Sequence, residues 1–103
     1  RDVERSADMA IQSFRDERAR AIFDGRSPGK GFPADLVRPA KRKLEMLHAA
    51  VVLNDLRFPP GNRLEALAGD RAGQHAIRVN DQFRLVFVWT DAGPTDVIFV
   101  DYH

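Results

Sequence analysis

The chain has no cysteine, so neither a disulfide framework nor a thiolate metal site is open to it. That fits a cytoplasmic protein. No apolar run approaches the roughly 20 residues of a membrane-spanning helix, and no signal peptide is recognisable. Charge of one sign is scarce as well. With 16 Lys and Arg against 15 Asp and Glu, the net charge is +1, and composition alone does not announce a nucleic-acid binder. Any such role must come from where the charges sit. The 103 residues, 44% hydrophobic and 30% charged, suffice for one folded domain with one core. Residues 1–8 precede the first methionine, lack periodicity and read as a non-native or disordered extension. Met9 reads as the start of a single domain over 9–103.

Taken in order, Ala10 to Phe14 is a candidate strand anchored by Ile11 and Phe14. A helix follows, with Ser13 and Asp16 at capping-box spacing and Ala19, Ile22 and Phe23 as its apolar stripe, stopping at Asp24-Gly25. Leu36, Ala40, Leu44, Leu47 and Val51 recur at helical spacing and define the longest helix. Pro39 belongs in its first turn, either as the first helical residue or after an Asp35 cap at the loss of one hydrogen bond. Lys41, Arg42 and Lys43 read as a solvated face more readily than as an RNA contact. His48 reads as a partly exposed helix residue. The three histidines, His48, His75 and His103, lie on separate elements, which points to no metal site.

After the breakers Phe58-Pro59-Pro60-Gly61-Asn62, strand-like segments succeed one another: Arg63 to Leu67, His75 to Val79, Phe83 to Trp89 and Thr95 to Tyr102. The order implies an α+β fold, an antiparallel-rich twisted sheet with two N-terminal helices packed on one face. A loop at Asn80 to Gln82 sets Val79 against Phe83, Ile77 against Leu85 and Arg78 against Arg84. Side-chain alternation then gives Ile77, Val79, Phe83, Leu85, Phe87 and Trp89 to the core, with His75 also pointing coreward. Pairing Thr90 with Thr95 around a four-residue loop adds Val100 and Ile98 to that core, and sets Asp101 opposite Arg84. The other face then gathers Arg78, Arg84, Asp101 and His103, with Tyr102 tucked at the core edge. Like charges directly opposite across strands are destabilising. Arg78 and Arg84 therefore belong either to a face that holds an anion or to an exposed cluster neutralised by Asp101.

Leu67-Ala68-Gly69-Asp70-Arg71-Ala72-Gly73, Ile77-Arg78-Val79-Asn80, Phe83-Arg84-Leu85-Val86-Phe87 and the closing Asp101-Tyr102-His103 together resemble the HigB group of the RelE/ParE toxin superfamily. The resemblance runs from about Met9 to the last residue. It implies a RelE-like fold and a toxin of a type II toxin–antitoxin system, many of whose relatives cut mRNA inside the translating ribosome. Metal-free cleavage of that kind needs a base for the 2′-hydroxyl, a cation for the phosphorane and an acid for the leaving 5′-oxygen. On the resemblance, Arg84 and Arg78 are the clamp, His103 the acid and Tyr102 an orienting or stacking group. Where HigB-like sequences often carry His-Pro-Leu-Lys-Gly, this chain has Glu65-Ala66-Leu67-Ala68-Gly69, so the usual lysine is missing. The related YoeB-type nucleases carry glutamate at the matching point, which makes Glu65 the candidate base. A solvent-facing glutamate paired with Arg63 or Arg78 is the competing reading.

Arg63, Arg71, Arg78 and Asp101 complete the expected RNA- and phosphate-binding set. No cofactor is implied. The implied partners are a HigA-like helix-turn-helix antitoxin, the ribosome and mRNA, with DNA reached only through the antitoxin and no membrane. The strand edge at Ala10 to Phe14 is a candidate antitoxin docking site. Two other roles compete: a ParE-like poison that binds a protein such as gyrase, and a weakened toxin acting mainly in antitoxin-dependent regulation.

Overall fold

A computed structural model describes residues 10–102. The expected extension at 1–8, the expected start at Met9 and the candidate acid His103 lie outside the described residues. Helix α1 spans Glu17–Phe23 and helix α2 Val37–Ala49, and strands β1 (Glu65–Ala66), β2 (His75–Arg78), β3 (Phe83–Thr90) and β4 (Gly93–Asp101) follow. The four strands form one antiparallel sheet in the order β1-β2-β3-β4. The fold is α+β, as the element order implied. Among the described residues no helix is long and apolar enough to cross a membrane.

Three helical expectations need correction. Asp16, not Ser13, caps α1: its carboxylate accepts from the Arg18 amide at 2.9 Å and from the Phe99 amide of β4 at 3.1 Å, tying the helix to the sheet. Ser13 lies instead along the edge of β4, where its hydroxyl bonds Thr95 and accepts from the Asp96 amide. Helix α2 begins at Val37 behind a 3-10 turn at Ala34–Leu36. That puts Pro39 at the third helical position, where an amide has no intrahelical partner anyway, so no hydrogen bond is lost. Helix α2 also stops at Ala49, because Ala50 is extended (ψ 134°), and Val51 leaves the apolar stripe for solvent at 58% exposure.

The basic run on α2 is not simply solvated. Lys41 donates to the Phe23 carbonyl and Lys43 to the buried Asn62 side chain. His48 is exposed and accepts from the Ile11 amide. The segment Ala10 to Phe14 forms no regular strand. It meets β4 at one parallel bridge, Phe14 with Val97, flanked by three backbone hydrogen bonds. Of the expected 63–67 strand only Glu65–Ala66 is regular strand, with the Leu67 amide donating to the Gln74 carbonyl beside it at 2.9 Å.

Both helices cover one face of the sheet. Ala19 and Ile22 of α1, and Ala40, Leu44 and Leu47 of α2, share a buried cluster with Ile77, Leu85, Phe87, Val97 and Phe99. The β2–β3 register is as expected, with Ile77 opposite Leu85 and Arg78 opposite Arg84. The β3–β4 register is not. Gly93 and Pro94 belong to β4, Thr90 pairs with Gly93, and the pairing shifts between Val86 and Val88. There, two β4 residues, Asp96 and Val97, stand against Phe87 alone, a bulge eased by the left-handed Asp96 (φ 55°). Leu85 therefore faces Phe99, Val86 faces Ile98, Arg84 faces Val100 and Phe83 faces Asp101. A one-residue slip exchanges the faces. Val97 and Phe99 take the core places expected of Ile98 and Val100, and Asp101 leaves the Arg84 row.

Candidate active site

The face away from the helices carries two rows of side chains. Glu65, Ala76, Val86 and Ile98 form one, and Arg78, Arg84 and Val100 the next. Glu65 and Arg78 are diagonal neighbours on adjacent strands, about 7–8 Å apart at Cα. Arg84 is one strand further, about 10 Å across the sheet from the Glu65 strand and about 7 Å along it.

The β2–β3 loop fixes the arginine end. Asn80 Oδ1 accepts from the amides of Gln82 and Phe83 at 2.9 and 2.7 Å, an Asx turn that holds the loop closed. Arg84 Nη1 donates to the Asn80 carbonyl at 2.7 Å and the Phe83 carbonyl at 3.3 Å. Arg78 Nη2 donates to the carboxylate of Asp81. That hydrogen bond first, and then the charge of Arg78, hold the exposed Asp81 carboxyl below its ordinary range, with Arg63 and Arg84 near enough to contribute. Three arginines thus gather around one loop, where the carboxylates of Asp81 and Asp101 offset only part of their charge. A further anion is favoured there on Coulombic grounds.

The chain end is stapled to the same loop. The Tyr102 amide donates to the Gln82 carbonyl at 2.6 Å, and Gln82 Nε2 donates to Asp101 at 3.1 Å. The corrected register moves Tyr102 from the expected core edge to the open face. It is 36% exposed, and its ring centroid is 5.0 Å from the guanidinium carbon of Arg84.

Residues 12–103 match the family of HigB-like toxins, described as the RelE-like toxin of the type II toxin–antitoxin system HigB. The chain belongs to the HigB-like toxin family. It is 41% identical over 83 residues to Toxin HigB-1 of Vibrio cholerae serotype O1, covering 81% of this chain and 86% of that protein. An uncharacterised protein of Haemophilus influenzae is 32% identical over 92 residues, 89% of this chain and 90% of the other. The expected toxin of a type II system is borne out, and membership implies an antitoxin partner.

Within this HigB-like toxin, Glu65, Arg78, Arg84 and Tyr102 share the open face, and Arg63 stands near its arginine end. Arg71 does not join them. It lies in the turn Gly69–Arg71 before β2, at the opposite end of that strand from Arg78, and donates to Gln74. Asp101 sits opposite Phe83 and accepts from Gln82 rather than standing in the Arg84 row. Two supporting residues went unread in the sequence. Asp81 looked only like a turn former, although its spacing from Arg78 across the loop was a signal. Lys43 looked like part of a solvated run, and the polar Asn62 that holds it gave no pattern to read. Burial first, then repulsion from Arg42 and Arg78, push the Lys43 ammonium below the ordinary lysine range.

Proposed function

We propose that this toxin is an endoribonuclease that cuts mRNA in the translating ribosome and so arrests growth. Glu65 takes the proton of a 2′-hydroxyl, and the freed 2′-oxygen attacks the adjacent phosphorus. Arg84 and Arg78 hold the added negative charge of the phosphorane, where an arginine fork matches two phosphate oxygens. His103 gives its proton to the departing 5′-oxygen. Tyr102 steadies Arg84 and offers a ring on which a base stacks. The products are a 2′,3′-cyclic phosphate and a 5′-hydroxyl. The cognate antitoxin is a HigA-like protein with a helix-turn-helix domain, through which alone the complex reaches DNA. The site of action is the cytoplasm.

What supports this reading most is the common face of Glu65, Arg78 and Arg84, with like charges opposite one another at the loop. A face built only for solubility would gain nothing from that pairing. The test is a purified ribosome complex carrying end-labelled mRNA, incubated with the toxin. New fragments ending in a cyclic phosphate are expected, and Glu65→Gln should slow their appearance by about 100-fold or more. Intact mRNA with bound toxin would remove the nuclease and favour a ParE-like protein target.

A further inference from the structure

Beside the Glu65 face, an open pocket of about 330 Å³ lies between the 3-10 turn Leu53–Arg57 and the first strand. Leu53, Leu64 and Ala66 supply its apolar walls, Asn54, Arg57 and His75 its polar lining, and Glu65 stands at the edge it shares with the sheet; among the described residues the buried Nδ1 of His75 holds no partner. Apart from Glu65, no residue of the cleavage scheme lines the pocket. Arg57 Nε donates to Asn54 Oδ1 at 2.6 Å, a bond between two exposed side chains. Among the described residues its two terminal nitrogens hold no partner.

We propose that this pocket receives a guanine base, that of the nucleotide whose 2′-hydroxyl Glu65 addresses, so that cuts fall 3′ of guanosine. The inference rests on the nuclease reading. An arginine fork matches two acceptors side by side on one edge. Guanine offers them as O6 and N7, whereas adenine sets an amino donor beside its N7 and meets the fork with one repulsive contact. The apolar walls supply what the ring faces need, since burying them removes apolar surface from water. The shared carboxylate decides which nucleotide is held. A base seated beside Glu65 brings its own ribose to the mouth of the pocket, and the phosphate on that ribose's 3′-oxygen then extends toward Arg78 and Arg84.

The purified toxin titrated with guanosine 3′-monophosphate, its Leu53 and Leu64 methyl signals followed by NMR, tests the pocket without any need for cleavage. Both methyls are expected to shift, with affinity about tenfold or more above that for adenosine 3′-monophosphate. Arg57→Ala should abolish the preference, and Glu65→Gln should keep it. Equal affinities, shifts elsewhere only, or an unchanged preference in Arg57→Ala would overturn the proposal. Mapping cut positions supplies the second arm: wild-type cuts after guanosine should spread over other bases in Arg57→Ala. Absence of wild-type cutting defeats the nuclease reading, while the titration still decides the pocket. If Arg57→Ala weakens antitoxin binding but leaves base preference and titration unaltered, the pocket is a protein-docking cleft and the guanine assignment is wrong.

Discussion

The ring of Tyr102 lies 5.0 Å from the guanidinium carbon of Arg84, on the face that also carries Glu65 and Arg78. The contact exists because the β4 bulge shifts the pairing by one residue, which turns position 102 from the core side to the open side. Its energetic content is in the ring, since a cation above a π face is drawn by the quadrupole and needs no hydroxyl. Tyr102→Phe should therefore keep most growth inhibition in cells, and Tyr102→Ala should lose about tenfold in cleavage rate. Equal loss in both variants would assign the role to the phenol hydroxyl.

Asp81 makes the arginine loop sensitive to acid. Its carboxyl is held below the ordinary value of 3.8 by its bond to Arg78. The unfolded chain thus binds the proton more readily, and the stabilisation is fully present above pH 3.8, fading as pH falls through the depressed native value. Urea midpoints of the wild type and Asp81→Asn should differ at pH 6 and converge as the pH falls below 3.8. A gap independent of pH would contradict this linkage.

Asp16 joins a helix start to the sheet through two accepted amides, those of Arg18 and Phe99, with its side chain 9% exposed. Asp16→Ala should cost about 2–3 kcal/mol, a lost cap plus an amide of β4 left without its partner. Thermal unfolding should show a Tm lower by roughly 10 °C or more. Asp16→Asn should recover part of the loss, because asparagine still caps.

Asn62 closes the loop that delivers Arg63 and Glu65 to the sheet. It is fully buried, donates to the carbonyls of Leu56 and Phe58, and accepts from Lys43 at 2.6 Å. Asn62→Ala strands those carbonyls and the partly desolvated Lys43 amine, an expected cost of about 2–4 kcal/mol by urea unfolding. A change below about 0.5 kcal/mol would show that the loop holds its shape without the amide.

The core and the β2–β3 pair were legible in the sequence because both rest on short-range rules. Alternation from Ile77 to Phe87 names the buried face, and Asn80 with Asp81 marks the turn that sets Arg78 against Arg84. The β4 register was not legible. Gly93 and Pro94 look like turn residues, yet they pair in the strand, and nothing in Asp96-Val97 declares a bulge. Both errors are local, but a strand's period of two spreads them over every later side chain, which misplaced Asp101 and Tyr102. Asn62 was hidden for another reason: a buried amide is justified only by partners far along the chain, and Lys43 and Leu56 come together only in the fold.

Primer-extension mapping of transcripts from cells briefly expressing the toxin, beside Glu65→Ala, Arg84→Ala and His103→Ala, bears most directly on the proposed chemistry. Discrete breaks within translated codons should appear with the wild type and vanish in all three variants, while each variant still accumulates as folded protein. Growth arrest with intact transcripts would contradict the assignment and turn the arginine face into a binding surface for a protein target.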